Sequence, residues 1–230
     1  MKIPKGILFD HDGVLVASEP MHWQAWARLT RELDLPYDET LIRAAVGKTA
    51  PEILRLLLER YRPGDKLSEA QLGQLVQRKN ELYMEEASRG LQPYPGVRDG
   101  LEWMQQSGIQ AAVVSNARKR ELNAILESLG LAPFFAVILS REDVTAFKPD
   151  PTPYLTAAAM LGLETDECLA VEDSPPGIES ALMARIPAVA VLTNFTEPVM
   201  RSPVPGRPDL APAWIVGSMM EFFARLRQVQ

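Results

Sequence analysis

The chain has a single cysteine, Cys168, among 230 residues. That excludes an internal disulfide framework and a zinc site built on several cysteines. Apolar runs are also short. The longest, residues 131–139, falls far below the roughly 20 residues that span a bilayer. Two lysines lie near the start, but Asp10 interrupts any apolar core of an export signal, so none is expected. Positive charge is in deficit: 24 Lys and Arg face 30 Asp and Glu, a net charge of −6. This balance argues against general binding to nucleic acid or to an anionic membrane. Internal repeats and low-complexity tracts are absent. A reducing, cytoplasmic setting fits one cysteine, and a monomer is expected.

What is present reads as a folded domain. Apolar residues make up 47% and charged residues 23%, close to the globular average. Short apolar runs occur at 6–9, 109–114, 135–139, 168–171, 187–192 and, weakly, 213–216. Helical patterns fall between neighbours at 97–106, 118–129, 152–161 and 177–184, with one more at 219–228. That alternation predicts βαβ units and a parallel sheet. Gly130 and Gly162 sit where glycines end helices. The rhythm stops between 18 and about 90, where no strand-like run occurs. Helices are predicted there at 21–33, 39–46, 51–61 and 68–88, with a capping box at Ser68 and Gln71. The fold class is therefore α/β: a Rossmann-like parallel-sheet core, residues 1–17 and 90–230, with an inserted all-helical cap domain, residues 18–89. The proline-rich stretch 196–213 is expected to be an ordered surface loop.

In open parallel sheets ligands bind at the carboxyl ends of strands. After the first predicted strand come Asp10 and Asp12, in "FDHDGVL". Ser115 and Asn116 follow the second, in "VVSNA". Lys148 comes after the third, in "FKPDPTPY", and Glu172 and Asp173 after the fourth, in "VEDSPPG". Converging carboxylates call for a cation, and hard oxygen ligands select Mg²⁺. A lysine keeps nearby carboxylates ionised and meets a phosphate. A serine hydroxyl and backbone amides at a helix start bind phosphate oxygens. A carboxylate can attack phosphorus, and a second can give and take protons.

These four stretches, in this order, resemble the motifs of the haloacid dehalogenase superfamily of phosphotransferases. The resemblance covers essentially the whole chain. It implies that Asp10 is a nucleophile forming an aspartyl-phosphate, and that Asp12 protonates the leaving group and then activates water. Ser115 and Asn116 would bind the phosphoryl group, and Lys148 would pair with Asp10 and the phosphate. Mg²⁺ would be held by Asp10, by Asp12 through its backbone carbonyl, by Asp173, and by Glu172 directly or through water. Two departures are small: Val14 stands where many members have threonine, and Ala17 where an acidic residue is usual.

The cap resembles the branch of β-phosphoglucomutases and phosphoglycolate phosphatases. In that branch a cap excludes water and sets specificity. His22, and Lys79 within "RKN", match the mutases and are candidate substrate contacts. In "VGKTAPEIL", however, Ala50 stands where mutases carry an arginine for the distal phosphate, and Lys48 is the candidate substitute. A phosphatase acting on a small phosphorylated metabolite, a sugar phosphate or a phosphoglycolate-like compound, is therefore favoured over a mutase. A non-enzymatic phospho-aspartate module is disfavoured by the chain's length and its cap. Cys168 is expected to be an inert core thiol.

Overall fold

The computed structural model describes residues 3–45, 48–204 and 206–229. Its contacts divide the chain into two compact units, Met1–Ala17 with Gln92–Gln230, and Ser18–Leu91.

The first unit is built on a six-stranded, all-parallel sheet. The strands are β1 (Gly6–Phe9), β2 (Gln110–Val114), β3 (Val137–Leu139), β4 (Cys168–Glu172), β5 (Ala188–Val191) and β6 (Trp214–Val216). Their order across the sheet is β3-β2-β1-β4-β5-β6. The central strands are buried along their length. This is why they read as unbroken apolar runs rather than alternating ones. Strand order reverses between β1 and β4, the switch point where such sheets bind ligands. Register puts Phe9 beside Val113 on one side and Val171 on the other. Asp10 and Glu172 therefore reach the same edge.

The chain leaves this unit after Ala17 and returns to it at Gln92. Val16 bridges to Pro93, and the Ala17 amide donates to the Gln92 carbonyl at 3.2 Å. The second unit is all helical: α1 (Glu19–Glu32), α2 (Glu39–Ala44), α3 (Ala50–Tyr61) and α4 (Glu69–Gly90). The predicted capping box forms, with the Ser68 amide donating to Gln71 Oε1 at 2.9 Å. Thr49 and Glu52 make another, the Thr49 amide donating to Glu52 Oε2 at 2.7 Å. Helices α1 and α4 pack together, and Ala25, Trp26 and Leu29 of α1 and Leu72, Leu82 and Tyr83 of α4 are buried.

The remaining helices belong to the first unit: α5 (Val97–Gln106), α6 (Lys119–Ser128), α7 (Thr152–Leu161), α8 (Pro175–Met183), α9 (Glu197–Arg201) and α10 (Met219–Arg227). Tyr154, Ala157 and Ala158 of α7 pack into one core with Leu8, Ala112 and Leu139. Phe9 sits edge-on to Phe135 and Phe222, at ring separations of 6.4 and 6.1 Å. Cys168 is buried, and its thiol is pushed up to about 11, first by burial.

One expectation is corrected. Residues 196–213 are not all loop, because α9 forms at 197–201. Pro198 lies in its first turn, where no amide hydrogen bond is required, and Met200 is fully buried beneath it. Prolines also open α1 and α8 earlier than periodicity suggests. The helix expected to reach residue 46 ends at Ala44, and Val46 and Gly47 lie outside the described residues.

Candidate active site

The site is assembled where β1 runs out. The Asp10 amide still donates to the Val171 carbonyl, at 2.9 Å, as a strand residue would. The chain then turns sharply, with the amides of Leu15 and Val16 both donating to the His11 carbonyl. Gly13 makes the turn at φ 77°. A Cβ at that position would lie 1.9 Å from Asp173 Oδ2, so conformation and space both require glycine.

Lys148 is the centre of the cluster. Its side chain is 5% exposed. Nζ donates to Asp10 Oδ1 at 2.6 Å, to Glu172 Oε1 at 2.6 Å and to the Val114 carbonyl at 2.7 Å. An ammonium has three protons, and each has an acceptor here. Burial alone would push Lys148 down, but Asp10 and Glu172 overcome it and hold its pKa above the ordinary lysine range. Asp10 is also raised, up to about 7. Burial is the main cause, Lys148 opposes it, and the charges of Glu172 and Asp12 add to it.

Glu172 is completely buried. Besides Lys148, Oε1 accepts from the Tyr154 hydroxyl at 2.8 Å, and Oε2 from the Ser174 hydroxyl at 3.2 Å. Burial, then the Glu172 charge, raises the Tyr154 phenol well above its usual range. Asp173 is 4% exposed, and Oδ2 accepts from Asn194 Nδ2 at 2.5 Å.

Asp10, Glu172 and Asp173 each offer an oxygen, and these oxygens lie within 4.8 Å of one another. Three convergent carboxylates with hard oxygen donors suit a divalent cation. The Asp12 carboxylate is not part of this set. It is 34% exposed, and its Oδ1 lies 3.3 Å from His11 Nδ1. His11 is itself buried, and neither ring nitrogen has a hydrogen-bond partner among the described residues.

Ser115 is buried after β2, with Oγ accepting from the Ala117 amide at 3.0 Å. Asn116 brackets the backbone of Lys148. Its Oδ1 accepts from the Lys148 amide at 3.3 Å, and its Nδ2 donates to the Lys148 carbonyl at 3.4 Å. Asn116, Lys148 and the carboxylates of Asp10, Glu172 and Asp173 thus meet within one unit, and Asp12 and Ser115 belong to the same unit.

His22, Lys48 and Lys79 lie in the helical unit and line one cavity of about 140 Å³ with Trp23, Trp26 and Ala50. The Lys79 ammonium, 2.7 Å from His22 Nδ1, has only protons to give, so Nδ1 accepts. His22 stacks on Tyr83 at 4.0 Å with the rings 7° apart. Lys79 is buried, whereas Lys48 is exposed.

Sequence reasoning missed Tyr154, Asn194 and Thr193, whose hydroxyl lies 2.7 Å from the Gly13 carbonyl. Tyr154 ends the quoted "FKPDPTPY" and follows Lys148 on α7, so it could have been suspected. Thr193 and Asn194 follow β5, a strand end that went unexamined.

A parallel sheet with a buried lysine and clustered carboxylates at its switch point defines a class: α/β enzymes that handle anionic substrates. Comparison with known proteins narrows it. The family model described as haloacid dehalogenase-like hydrolase matches residues 4–185. A phosphorylated carbohydrates phosphatase of Thermotoga maritima is 31% identical over 182 residues, covering 79% of this chain and 82% of that protein. The β-phosphoglucomutase of Bacillus subtilis is 30% identical over 190 residues, covering 81% and 83%. The structure of CbbY from Rhodobacter sphaeroides, solved with phosphate, superposes with a TM-score of 0.78 at 22% identity, over 95% and 96% of the two chains, which shows the shared fold. The chain belongs to the haloacid dehalogenase-like hydrolases, and within them it is a phosphatase-type enzyme. No helix among the described residues is long and apolar enough to cross a membrane.

Proposed function

We propose that the protein hydrolyses a phosphate monoester of a small metabolite, a sugar phosphate or a phosphoglycolate-like compound, through an aspartyl-phosphate on Asp10. The observation that supports this most is the buried Lys148 ammonium bonded to both Asp10 and Glu172 at the β1/β4 switch point.

In the first half-reaction a carboxylate oxygen of Asp10 bonds to phosphorus and the ester oxygen leaves. Asp12, on the adjoining turn, gives that oxygen a proton and becomes a carboxylate. In the second half, Asp12 takes a proton from water while the water oxygen bonds to phosphorus. The acyl-phosphate bond breaks and Asp10 is restored. Lys148 fixes the orientation of Asp10 and offsets negative charge in the cluster, and Ser115 binds a phosphoryl oxygen. Asn116 holds the loop that carries Lys148. Asp10, Glu172 and Asp173, with the backbone of Asp12, would hold a Mg²⁺, which when bound favours the ionised form of Asp10 and offsets charge on the phosphoryl oxygens. Asp10 must be a carboxylate to attack, and its raised pKa makes that cationic help useful near neutral pH. His22, Lys48 and Lys79 are assigned to the substrate's remaining polar groups, on the basis of the cavity inside the helical unit.

The test is a panel of phosphorylated metabolites with Mg²⁺, scored by released inorganic phosphate. Hydrolysis of at least one small phosphate ester is expected. Asp10→Asn should lower turnover by about 10³-fold or more while the fold persists. Wild-type turnover in that variant, or full activity after exhaustive chelation, overturns the mechanism.

A mutase is the second reading, favoured by the identity to the Bacillus subtilis β-phosphoglucomutase and by the His22–Lys79 pair. Ala50 speaks against it, because an uncharged first residue of α3 offers no grip on a second phosphate. A coupled glucose 6-phosphate assay beside phosphate release separates the two. Release should exceed isomerisation of β-glucose 1-phosphate, and the reverse would establish the mutase.

A further inference from the structure

Beyond the end of β5 the chain continues as Leu192-Thr193-Asn194 and turns back toward the carboxylates. Asn194 Nδ2 donates to Asp173 Oδ2 at 2.5 Å. The Thr193 hydroxyl lies 2.7 Å from the Gly13 carbonyl and 3.3 Å from the same Asp173 oxygen. Two consecutive residues of one strand end thus grip both the turn that follows Asp10 and Asp12 and the carboxylate of Asp173. A Cβ on Gly13 would meet Asp173 Oδ2 at 1.9 Å and Asn194 Nδ2 at 2.8 Å, so turn, carboxylate and amide are packed as one piece.

The two acidic residues at the end of β4 are held differently. Glu172 is bonded to an ammonium, which offsets its charge. The Asn194 amide that holds Asp173 is neutral, and so is the Thr193 hydroxyl beside it, whose one proton goes to the nearer Gly13 carbonyl. Neutral donors fix the plane of a carboxylate and leave its negative charge in place. A cation ligand needs that combination, because a hydrogen bond from a neighbour orients the ligand and reduces the reorganisation on binding.

We propose that Thr193 and Asn194 are positioning residues, a polar clasp that sets Asp173 and the Asp12–Gly13 turn for divalent-cation binding. The proposal rests on the reading of Asp10, Glu172 and Asp173 as a cation site. It assigns a functional role to β5, whose end carries none of the four motifs.

The test uses the full chain and Mn²⁺ as probe, with free Mn²⁺ read by electron paramagnetic resonance. Asn194→Ala should raise the Mn²⁺ Kd by about 10–100-fold, and Thr193→Val, which keeps the shape, by about 3–10-fold. Melting in chelator should stay close to wild type for both variants. Turnover lost at low metal should recover as metal is raised, so that the defect lies in metal affinity rather than kcat. A wild-type Kd in Asn194→Ala, accompanied by a lowered melting point, overturns the clasp and makes the contact purely structural. If Asn194→Ala does not fold, Thr193→Val decides, and an unchanged Kd overturns the proposal. Failure of the wild type to bind Mn²⁺ at all overturns the cation-site reading itself, a distinguishable result.

Discussion

In the α/β unit a lysine only 5% exposed is bonded to two carboxylates, one of them wholly buried. In the helical unit Arg78, 38% exposed, meets Glu32 at 2.7 Å and Glu81 at 3.3 Å on the surface. Arg28 joins the exposed Glu85 in the same way, and Arg28 and Arg89 together pair Glu86, the one buried carboxylate of this network. Both networks pair the same kinds of charge, yet they differ in physical weight. Charges removed from water must stay paired, since separation strands one of them in a poor medium. Charges at the surface regain water when parted, and salt screens them. Burial of Lys148 therefore costs stability that packing elsewhere must offset. A buried charged group kept at a ligand-binding strand end marks a candidate functional site.

Substitutions can break this contrast. Lys148→Met should have the largest effect, because it leaves Asp10 and Glu172 facing each other unpaired. A loss of about 3–5 kcal/mol by denaturant titration is expected, together with loss of phosphate release. Unchanged stability would mean that the buried pair is solvated. Gly177→Ala comes next. A Cβ there would sit 1.9 Å from Glu172 Cδ, and that carboxylate is held by Lys148 and Tyr154. Overpacking should cost about 1–3 kcal/mol. In α4 the same change has the opposite sign: Gly73 has nothing within 4 Å of a new Cβ, and Gly73→Ala should stabilise by about 0.5–1 kcal/mol. Equal signs at the two glycines would undo the comparison.

Acid should separate Asp10 from the carboxylates with lowered pKa values as well. Glu32, Asp38 and Glu86 lie below the ordinary carboxylate range, held there first by Arg78, by the Leu41 amide and by Arg28 respectively. A depressed folded pKa gives stability that is present above the unfolded value and lost as pH falls through the folded one. Asp10 runs the other way. Raised from 3.8 to about 7, it contributes stability below 3.8 that is lost as pH rises through 7. The α/β unit has depressed carboxylates too, Asp143, Asp150, Glu167 and Asp209, so the contrast is with Asp10 itself: peptide-resolved hydrogen exchange on metal-free protein, corrected for intrinsic rates, should show the segments around Asp38 and Glu86 losing protection below about pH 4 while β1, beside Asp10, keeps it. Earlier loss around β1 and β4 would reverse the assignment. The smallest effect belongs to Arg78→Met, whose change in melting should lie near the resolution of the measurement.

Much of this was legible in the chain. All six strands fell on apolar runs, the sixth only weakly, and the central ones read so because a strand buried on both faces has no room for polar alternation. Every helix but α9 was visible too. The short α9 was hidden because its proline reads as a breaker, although a first-turn proline removes no hydrogen bond. The motif residues could be picked out because they come after strands, Lys148 several residues beyond β3, and a parallel sheet sends those ends to one edge. Tyr154, Thr193 and Asn194 were harder. A tyrosine on an apolar helix face looks like core, and the polar residues after β5 look like any loop.

The sequence alone determined the alternation of strand and helix, the helical insert after β1, and the acidic and basic residues placed at strand ends. These follow from local periodicity and composition, which need no partner to be read. Only the tertiary structure decided that Lys148 would spend one proton on Asp10, one on Glu172 and one on the Val114 carbonyl. It alone put Asn194, from the far side of β4, on Asp173. Strand order, register and the closeness of backbones across the sheet set those distances, and residues remote in the chain meet only after that packing is complete.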